Sequence, residues 1–522
     1  MRYIEGEDRY QRIMFPEILD EYIREENPVR VIDAYVESVN IGEVEIGQNL
    51  SETGRPPYNP KDMLKLYIYG YFNKIRSSRR LETESGRNVE VMWLLRKLRP
   101  DHKTIANFRK ENGKGLKKVF RNFVEVCKKL DLYGKELAGI DGSKFRAVNS
   151  KENNYNEEKI EERIRRIEER IEQYLNELNE NDEKEKETRK HTKEEIEAAI
   201  AELSARKHNY EEMKTELEES GETQISTTDP DARRMKEANG GSDICYNVQT
   251  AVDDKNKLII DYEVTNNGND KNLLAPMAKS VKEILEVEEI AVVADTGFFV
   301  ATDIADCISN GITAHVSSEY ESVTFCVVTI EEDTNTPAEF TNQGKNVFIK
   351  DRNLGICPMG CIFYPTSYSN ARKAAVYRNT KACRSCPRYK VCKEYDKVIR
   401  VSMPESHFTK KYDDSNLHFK QITYSPDKSI LRKRKEIVEH PFGTIKSQMN
   451  TTSCLLKGIP KVSGEFALTF LAYNLKRVIN ILGVRNLLAA FSPFFPSSSL
   501  FFAFYGLHSL FRVPLLILSV AI

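Results

Sequence analysis

The sequence predicts a mixed α/β core preceded by an all-α N-terminal domain, with an antiparallel coiled-coil arm and a small Cys-rich β insert placed within the core. Three observations predict it. Apolar residues recur at helical spacing through residues 11–130, a 4-and-3 apolar repeat runs through 156–222, and short β-rich runs alternate with helical stretches from Leu137 to Val316. With 522 residues there is room for several domains and a sizeable core, which excludes disordered, collagen-like and small disulfide-rich classes.

In the N-terminal part, Pro60 stands where a helix would start and is followed by Met63, Leu64, Tyr67, Ile68 and Tyr71 on a helical face. Arg76, Arg79 and Arg80 come next, then Val91–Leu98, a break at Pro100-Asp101, and an apolar and basic run through Leu130. Short helices with basic flanks suit a helix-turn-helix-like module, although a plain helical bundle with a charged exterior would read the same way. In the arm, Ile160, Ile164, Ile167, Ile171, Tyr174 and Leu178 keep coiled-coil spacing. A polar break at 179–190 follows, and Ile196, Ile200, Leu203, Tyr210 and Leu217 nearly keep the phase.

Around the arm, the strands expected are Leu137–Val148, Ile244–Val252, Lys257–Thr265, Ile290–Asp295 and Ile312–Val316. Helices are expected over Asn272–Leu285 and between Phe299 and Asn310. Three strands, a helix, a strand, a helix and a strand is the order of a ribonuclease-H-like domain, an order that other α/β folds share.

The net charge of −1, from 78 basic and 79 acidic residues, taken alone argues against a nucleic-acid partner. The charges are segregated, however. Residues 61–130 hold 19 basic and 7 acidic side chains and residues 371–486 hold 24 and 9, whereas residues 1–60 hold 6 and 13 and residues 151–222 hold 14 and 24. Two basic blocks are masked by two acidic ones, so a polyanionic partner is again open.

Asp141 lies inside the first apolar strand and Asp295 ends the fourth. Either one alone also reads as a turn former. Together, on neighbouring strands, they could hold Mg²⁺, a hard ion that takes carboxylate oxygens. A third acid is sought in Leu431–Lys446, where Arg432, Glu439 and Lys446 fall on one helical face with Lys435 close by. Pro441 calls for a kink there, and Glu436 is the fallback carboxylate.

Four blocks carry a family resemblance: Ile140-Asp141-Gly142-Ser143-Lys144, Tyr246-Asn247-Val248-Gln249-Thr250-Ala251-Val252, Ala294-Asp295-Thr296-Gly297, and Val438-Glu439-His440-Pro441-Phe442-Gly443-Thr444-Ile445-Lys446. In this order, over residues 10 to 485, the chain resembles bacterial DDE insertion-sequence transposases. The resemblance implies a ribonuclease-H-like core, a helical DNA-binding domain, and Asp141, Asp295 and Glu439 as a catalytic triad holding Mg²⁺ or Mn²⁺. In the wider superfamily the third acid sits among Tyr, Arg and Lys. Arg434 and Lys446 fit that pattern, while Leu431 stands where Tyr is expected.

The expected chemistry is two-metal cleavage of phosphodiester bonds at the element's ends, followed by transfer of the freed 3′-OH ends to target DNA. Double-stranded DNA is the expected partner, contacted through Arg76, Arg79, Arg80, Arg432, Arg434, Lys435 and Lys446, with a homodimer or higher oligomer on DNA. Alternatives are a catalytically lapsed relic that only binds DNA and a ribonuclease-H-like nuclease.

Half of the ten cysteines fall between 357 and 392. Cys357, Cys383, Cys386 and Cys392 form the expected structural zinc set, with Cys361 spare, and free thiols or a regulatory disulfide are the alternatives. The domain reading is 1–130 helical and DNA-binding; 131–155 with 223–317 the first part of the core; 156–222 the arm; 318–428 the β/Cys-rich insertion; 429–485 the core helices with the third acid; and 486–522 an apolar tail of unknown role. That tail is interrupted by Gly506, His508, Arg512 and Pro514, so a membrane anchor is not favoured. With no signal-peptide pattern at the start, a cytoplasmic, nucleoid-associated setting is the expectation.

Overall fold

In the computed structural model the described residues are 18–491, apart from 48–55, 184–190, 237–239, 318–322, 331–337, 342–346, 350–351, 357–361, 386–397, 413 and 415–416. Side-chain caps set the N-terminal helices. Asn27 and Asn59 each accept a backbone N–H at the start of α1 (Pro28–Ser38) and α2 (Pro60–Phe72), and in both helices Pro takes the first position, where its missing N–H is harmless. After α3 (Ser78–Arg87), Asn88 caps α4 (Val89–Leu94) and Asp101 caps α5 (His102–Glu111). The expected run to Leu98 stops at Leu94, because Arg96 and Lys97 adopt left-handed backbone angles, φ 52° and 64°. Then α6 (Gly113–Lys129) presents Leu116, Val119, Phe120, Phe123 and Val124 to the interior.

The core sheet is built on β1 (Leu137–Arg146). A two-residue strand β2 (Asn154–Tyr155) leads into the long helices α7 (Glu157–Glu183) and α8 (Lys193–Ser220), and β3 (Ile225–Ser226) pairs back onto β2. Helix α7 continues four residues beyond Asn179, where the sequence suggested a break. Thr192 and Glu195 form a reciprocal capping box that starts α8. Ile164, Ile167, Ile171 and Tyr174 are half-buried, and Lys207–Glu168 (2.7 Å) and Lys214–Glu161 (2.6 Å) ion pairs link the two helices.

The sheet continues with β4 (Arg233–Lys236), β5 (Ser242–Asp253) and β6 (Ile259–Thr265). Helix α9 (Leu274–Leu285), β7 (Ile290–Ala294), α10 (Ala301–Ser309) and β8 (Ile312–Val316) follow. Its order is β6-β5-β1-β7-β8, with β4 sharing the outer edge of β5. Strand β5 is antiparallel to β1 and β6, whereas β1, β7 and β8 are parallel. The five predicted strands are thus present, and the two helices between them lie where the periodicity placed them.

Beyond the sheet, β9 (Val323–Ile330) and β10 (Ala338–Thr341) precede β11 (Val347–Ile349), β12 (Leu354–Ile356), β13 (Ile362–Ser369) and β14 (Ala374–Arg378). After α11 (Thr380–Ser385) come β15 (Ile399–Ser402) and β16 (Leu417–Tyr424). They form a three-stranded sheet, β10-β9-β16, and a five-stranded one, β11-β12-β13-β14-β15. The latter has a small apolar core of Phe363, Ala375, Tyr377 and Ile399.

Helix α12 (Lys428–Gly443) returns to the core sheet, with α13 (Ile459–Leu482) and α14 (Val484–Phe491) after it. Its Val438 and Ile437 methyls would lie 2.6 and 2.7 Å from a Cβ on Gly139, so only glycine lets the helix pack this close to β1. Pro441 lies inside α12, where it removes one backbone donor, and residues 444–448 widen into a π-helical turn just after it. Phe120 of α6 meets Tyr262 of β6 and Phe470 of α13, at 5.3 and 6.4 Å between ring centres. One apolar core therefore joins the N-terminal helices to the sheet. Among the described residues no helix is long and apolar enough to cross a membrane.

Candidate active site

Parallel pairing of β1 with β7 ends at Gly139 opposite Val293, and each strand carries an acid just beyond that point. Asp141 sits two residues on, opposite Thr250 of β5. Asp295 follows the end of β7, where its Oδ1 accepts the Gly297 N–H at 2.8 Å and caps a short 3-10 turn. Both acids thus lie just past the point where the parallel pairing of β1 with β7 stops, Asp295 after the end of its strand and Asp141 within β1, which runs on beside β5 to Arg146.

Burial first, then the charge of Asp295, pushes the Asp141 carboxyl up to about 7, against the opposing pull of Arg434. Arg434 reaches from α12, its Nη1 3.9 Å from Asp141 Oδ1. The charge of Asp270, in the loop between β6 and α9, also raises Asp141. Sequence reasoning missed Asp270, which sits in a polar Asn-Gly-Asn-Asp stretch that reads as a plain turn. Its signal lay elsewhere, in Asn247 and Gln249, two amides at period two in an otherwise apolar strand.

Glu439 is exposed on α12, whereas Glu436 pairs with Lys257 at 3.4 Å, at the turn between β5 and β6. That pairing draws the fallback carboxylate toward the Asp253 end of the sheet. Among the described residues no three His, Cys, Asp or Glu side chains stand close enough to form a ready metal cage. The structure therefore brings Asp141 and Asp295 together with Asp270 nearby, and does not close Glu439 onto them. All the donors at the strand ends are oxygens, a set that fits a hard divalent ion such as Mg²⁺ or Mn²⁺.

The predicted DNA-contacting cations divide into two groups. Arg79 and Arg80 are exposed on α3, and Arg432 and Lys435 are exposed on α12. Arg76 is not a surface cation: its guanidinium pairs with Glu465, itself 1% exposed, and donates to the Ser453 carbonyl. Lys446 is likewise drawn inward, donating to the Lys144 carbonyl at 3.0 Å and lying over the Phe145 ring. Arg434 faces Asp141 rather than solvent. Of the expected zinc set, Cys357, Cys386 and Cys392 lie outside the described residues, as does the spare Cys361, and Cys383 is half-buried in α11. Cys127, Cys245, Cys307 and Cys454 are buried, as core residues would be.

Two family descriptions match the chain. Residues 17–111 match a transposase domain (DUF772), and residues 356–479 match a transposase DDE domain. Both matched stretches are transposase domains, and together they support an insertion-sequence DDE-type transposase. No curated protein matches it significantly. Among solved structures, a cryo-EM structure of the piggyBac transposase synaptic complex with hairpin DNA is 10% identical with a TM-score of 0.29, covering 92% of this chain and 82% of that one. A likeness at that level decides neither fold nor chemistry.

Proposed function

We propose that the protein binds the ends of an insertion sequence, cleaves phosphodiester bonds there and transfers the 3′-OH ends to target DNA. The observation that carries this reading is the placement of Asp141 and Asp295 just past the end of the β1–β7 pairing, with Arg434 beside Asp141. The sheet order, with β5 antiparallel and β7 and β8 parallel to β1, supports a ribonuclease-H-like core. The paired helices α7 and α8 support a coiled-coil arm.

In this reading Asp141, Asp295 and Glu439 hold divalent ions, whose chemistry is to activate water or a 3′-OH and to offset charge on the phosphate. Burial and the charge of Asp295 favour the protonated form of Asp141, and a bound cation would favour its ionised form. Arg434 holds the Asp141 carboxylate in place and offsets part of its charge. Glu439, on an exposed helix face, comes into the site with DNA and ions present. Arg79, Arg80, Arg432 and Lys435 supply phosphate contacts that set register without reading sequence. The Cys-rich segment is assigned to a structural zinc, the assembly to a homodimer or larger on DNA, and the setting to the nucleoid.

The test uses DNA carrying the inverted repeats that flank the gene. Asp141→Ala, Asp295→Ala and Glu439→Ala should each abolish cleavage in Mg²⁺ and keep end binding in EDTA. Cleavage by all three variants would overturn the reading.

A further inference from the structure

The Tyr246-to-Val252 block has no part in the chemistry described so far. Strand alternation sends Tyr246, Val248 and Thr250 to one face of β5 and Asn247 and Gln249 to the other. Tyr246 donates to Asp229 on its side. On the other side the two amides converge on one atom: Asn247 Nδ2 and Gln249 Nε2 donate to Asp270 Oδ1 at 2.8 and 2.7 Å. Two donors on a single oxygen suit an ionised carboxylate.

Two glycines make the space for that carboxylate. A Cβ on Gly142, next to Asp141, would lie 2.6 Å from Asp270 Oδ1. A Cβ on Gly297 would lie 3.0 Å from Asp295 Oδ1 and 3.3 Å from Asp270 Oδ2. Asp270 therefore enters between the residue after Asp141 and the loop that holds Asp295, with its second oxygen on the Asp295 side.

The amides themselves carry a further sign. Asn247 and Gln249 are 1% and 0% exposed, yet Asn247 Oδ1 and Gln249 Oε1 have no hydrogen-bond partner. Gln249 Oε1 lies against Gly142, 2.9 Å from where its Cβ would be. Buried amide acceptors are rarely left unpaired, because each forgoes the hydrogen bond it makes in water. Carboxylate and amide oxygens are the ligands that hard divalent ions and their bound waters take.

We propose, resting on the reading that Asp141 and Asp295 hold a divalent ion, that Asp270 is a further carboxylate of that metal site and that Asn247 and Gln249 are the positioning residues that clamp it. The clamp fixes one Asp270 oxygen and directs the other toward the ion beside Asp295.

The test is Mn²⁺ binding to the full chain without DNA, read by calorimetry and by the loss of the free-ion electron paramagnetic resonance signal. Asp270→Asn should weaken Mn²⁺ binding about tenfold or more, as loss of a ligand or its support does elsewhere. Asn247→Ala and Gln249→Ala should each weaken it several-fold, and Asp270→Glu should recover part of the loss. End binding in EDTA and the circular dichroism spectrum should stay those of the wild type. If Asp270→Asn fails to fold, Asp270→Ser takes its place. Wild-type Mn²⁺ affinity in the Asp270 variant, with loss in Asp141→Asn and Asp295→Asn, would overturn this inference alone. Wild-type affinity in all three would overturn the metal reading and this inference with it.

Discussion

Arg434 of α12 and Asp141 of β1 stand 3.9 Å apart, each about one-fifth exposed, although 293 positions separate them in the chain. Arg434 is the cation that opposes the upward push of burial and of Asp295 on the Asp141 carboxyl. Removing it with Arg434→Ala should move the alkaline rise of Mn²⁺ binding upward by about one pH unit. An unchanged pH midpoint would show that the contact has no electrostatic role.

The raised Asp141 pKa has a stability consequence of definite sign. The folded state holds this proton up to about pH 7, whereas the unfolded chain releases it near its ordinary carboxylate value. Stability from this group is therefore full at acid pH and is lost as pH rises through 7. In metal-free buffer at pH 8, Asp141→Asn should be more stable than the wild type by on the order of 2 kcal/mol in urea unfolding. The two proteins should converge near pH 4, and saturating Mg²⁺ should stabilise only the wild type.

Arg76 and Arg79 should behave oppositely although they are close neighbours in sequence. Arg76→Ala leaves the buried Glu465 carboxylate without its cation, held only by the Leu455 and Leu456 N–H groups, which should cost about 3–5 kcal/mol of stability. Arg79→Ala should leave urea unfolding within experimental error and lower the salt dependence of DNA binding by about one ion equivalent. If Arg76→Ala instead unfolds like the wild type while losing DNA affinity, the sequence reading of Arg76 as a DNA contact would be restored.

Strand pairing at the base of the arm joins Asn154 to Ser226 and Tyr155 to Ile225, so α7 and α8 leave and rejoin the core side by side. Replacing residues 157–220 by a short Gly/Ser linker should therefore keep a cooperative unfolding transition and salt-dependent DNA binding. Loss of the transition on this deletion would mean that the arm supports the core itself.

The backbone plan was legible where a local rule set it. Short β-rich runs bounded by Gly, Asn and Asp marked the strands from Leu137 to Val316, and Thr192 with Glu195 is a capping signal readable in four letters. Asp141 and Asp295 stood out because an acid beside an apolar strand is costly without a partner. Arg76 and Lys446 were misplaced because a basic residue carries no mark of which carbonyl or carboxylate will meet it. Arg76 is taken by Glu465, nearly four hundred positions away, a pairing that periodicity cannot see. Asp270 was missed for the same reason, since what sets it apart from a turn residue is a pair of amides from another strand. Pro441 was read as a kink, and the chain instead keeps α12 and loosens the turn after it.

The packing of Phe120 against Phe470 ties the first third of the chain to the last. During synthesis the apolar face of α6 leaves the ribosome long before α13 exists to cover it, and Asp141 is made long before Arg434. A product that stops early would display that apolar face uncovered, which favours aggregation and proteolysis. The apolar surface left by the first third of the chain is thus covered only when the last helices have been made.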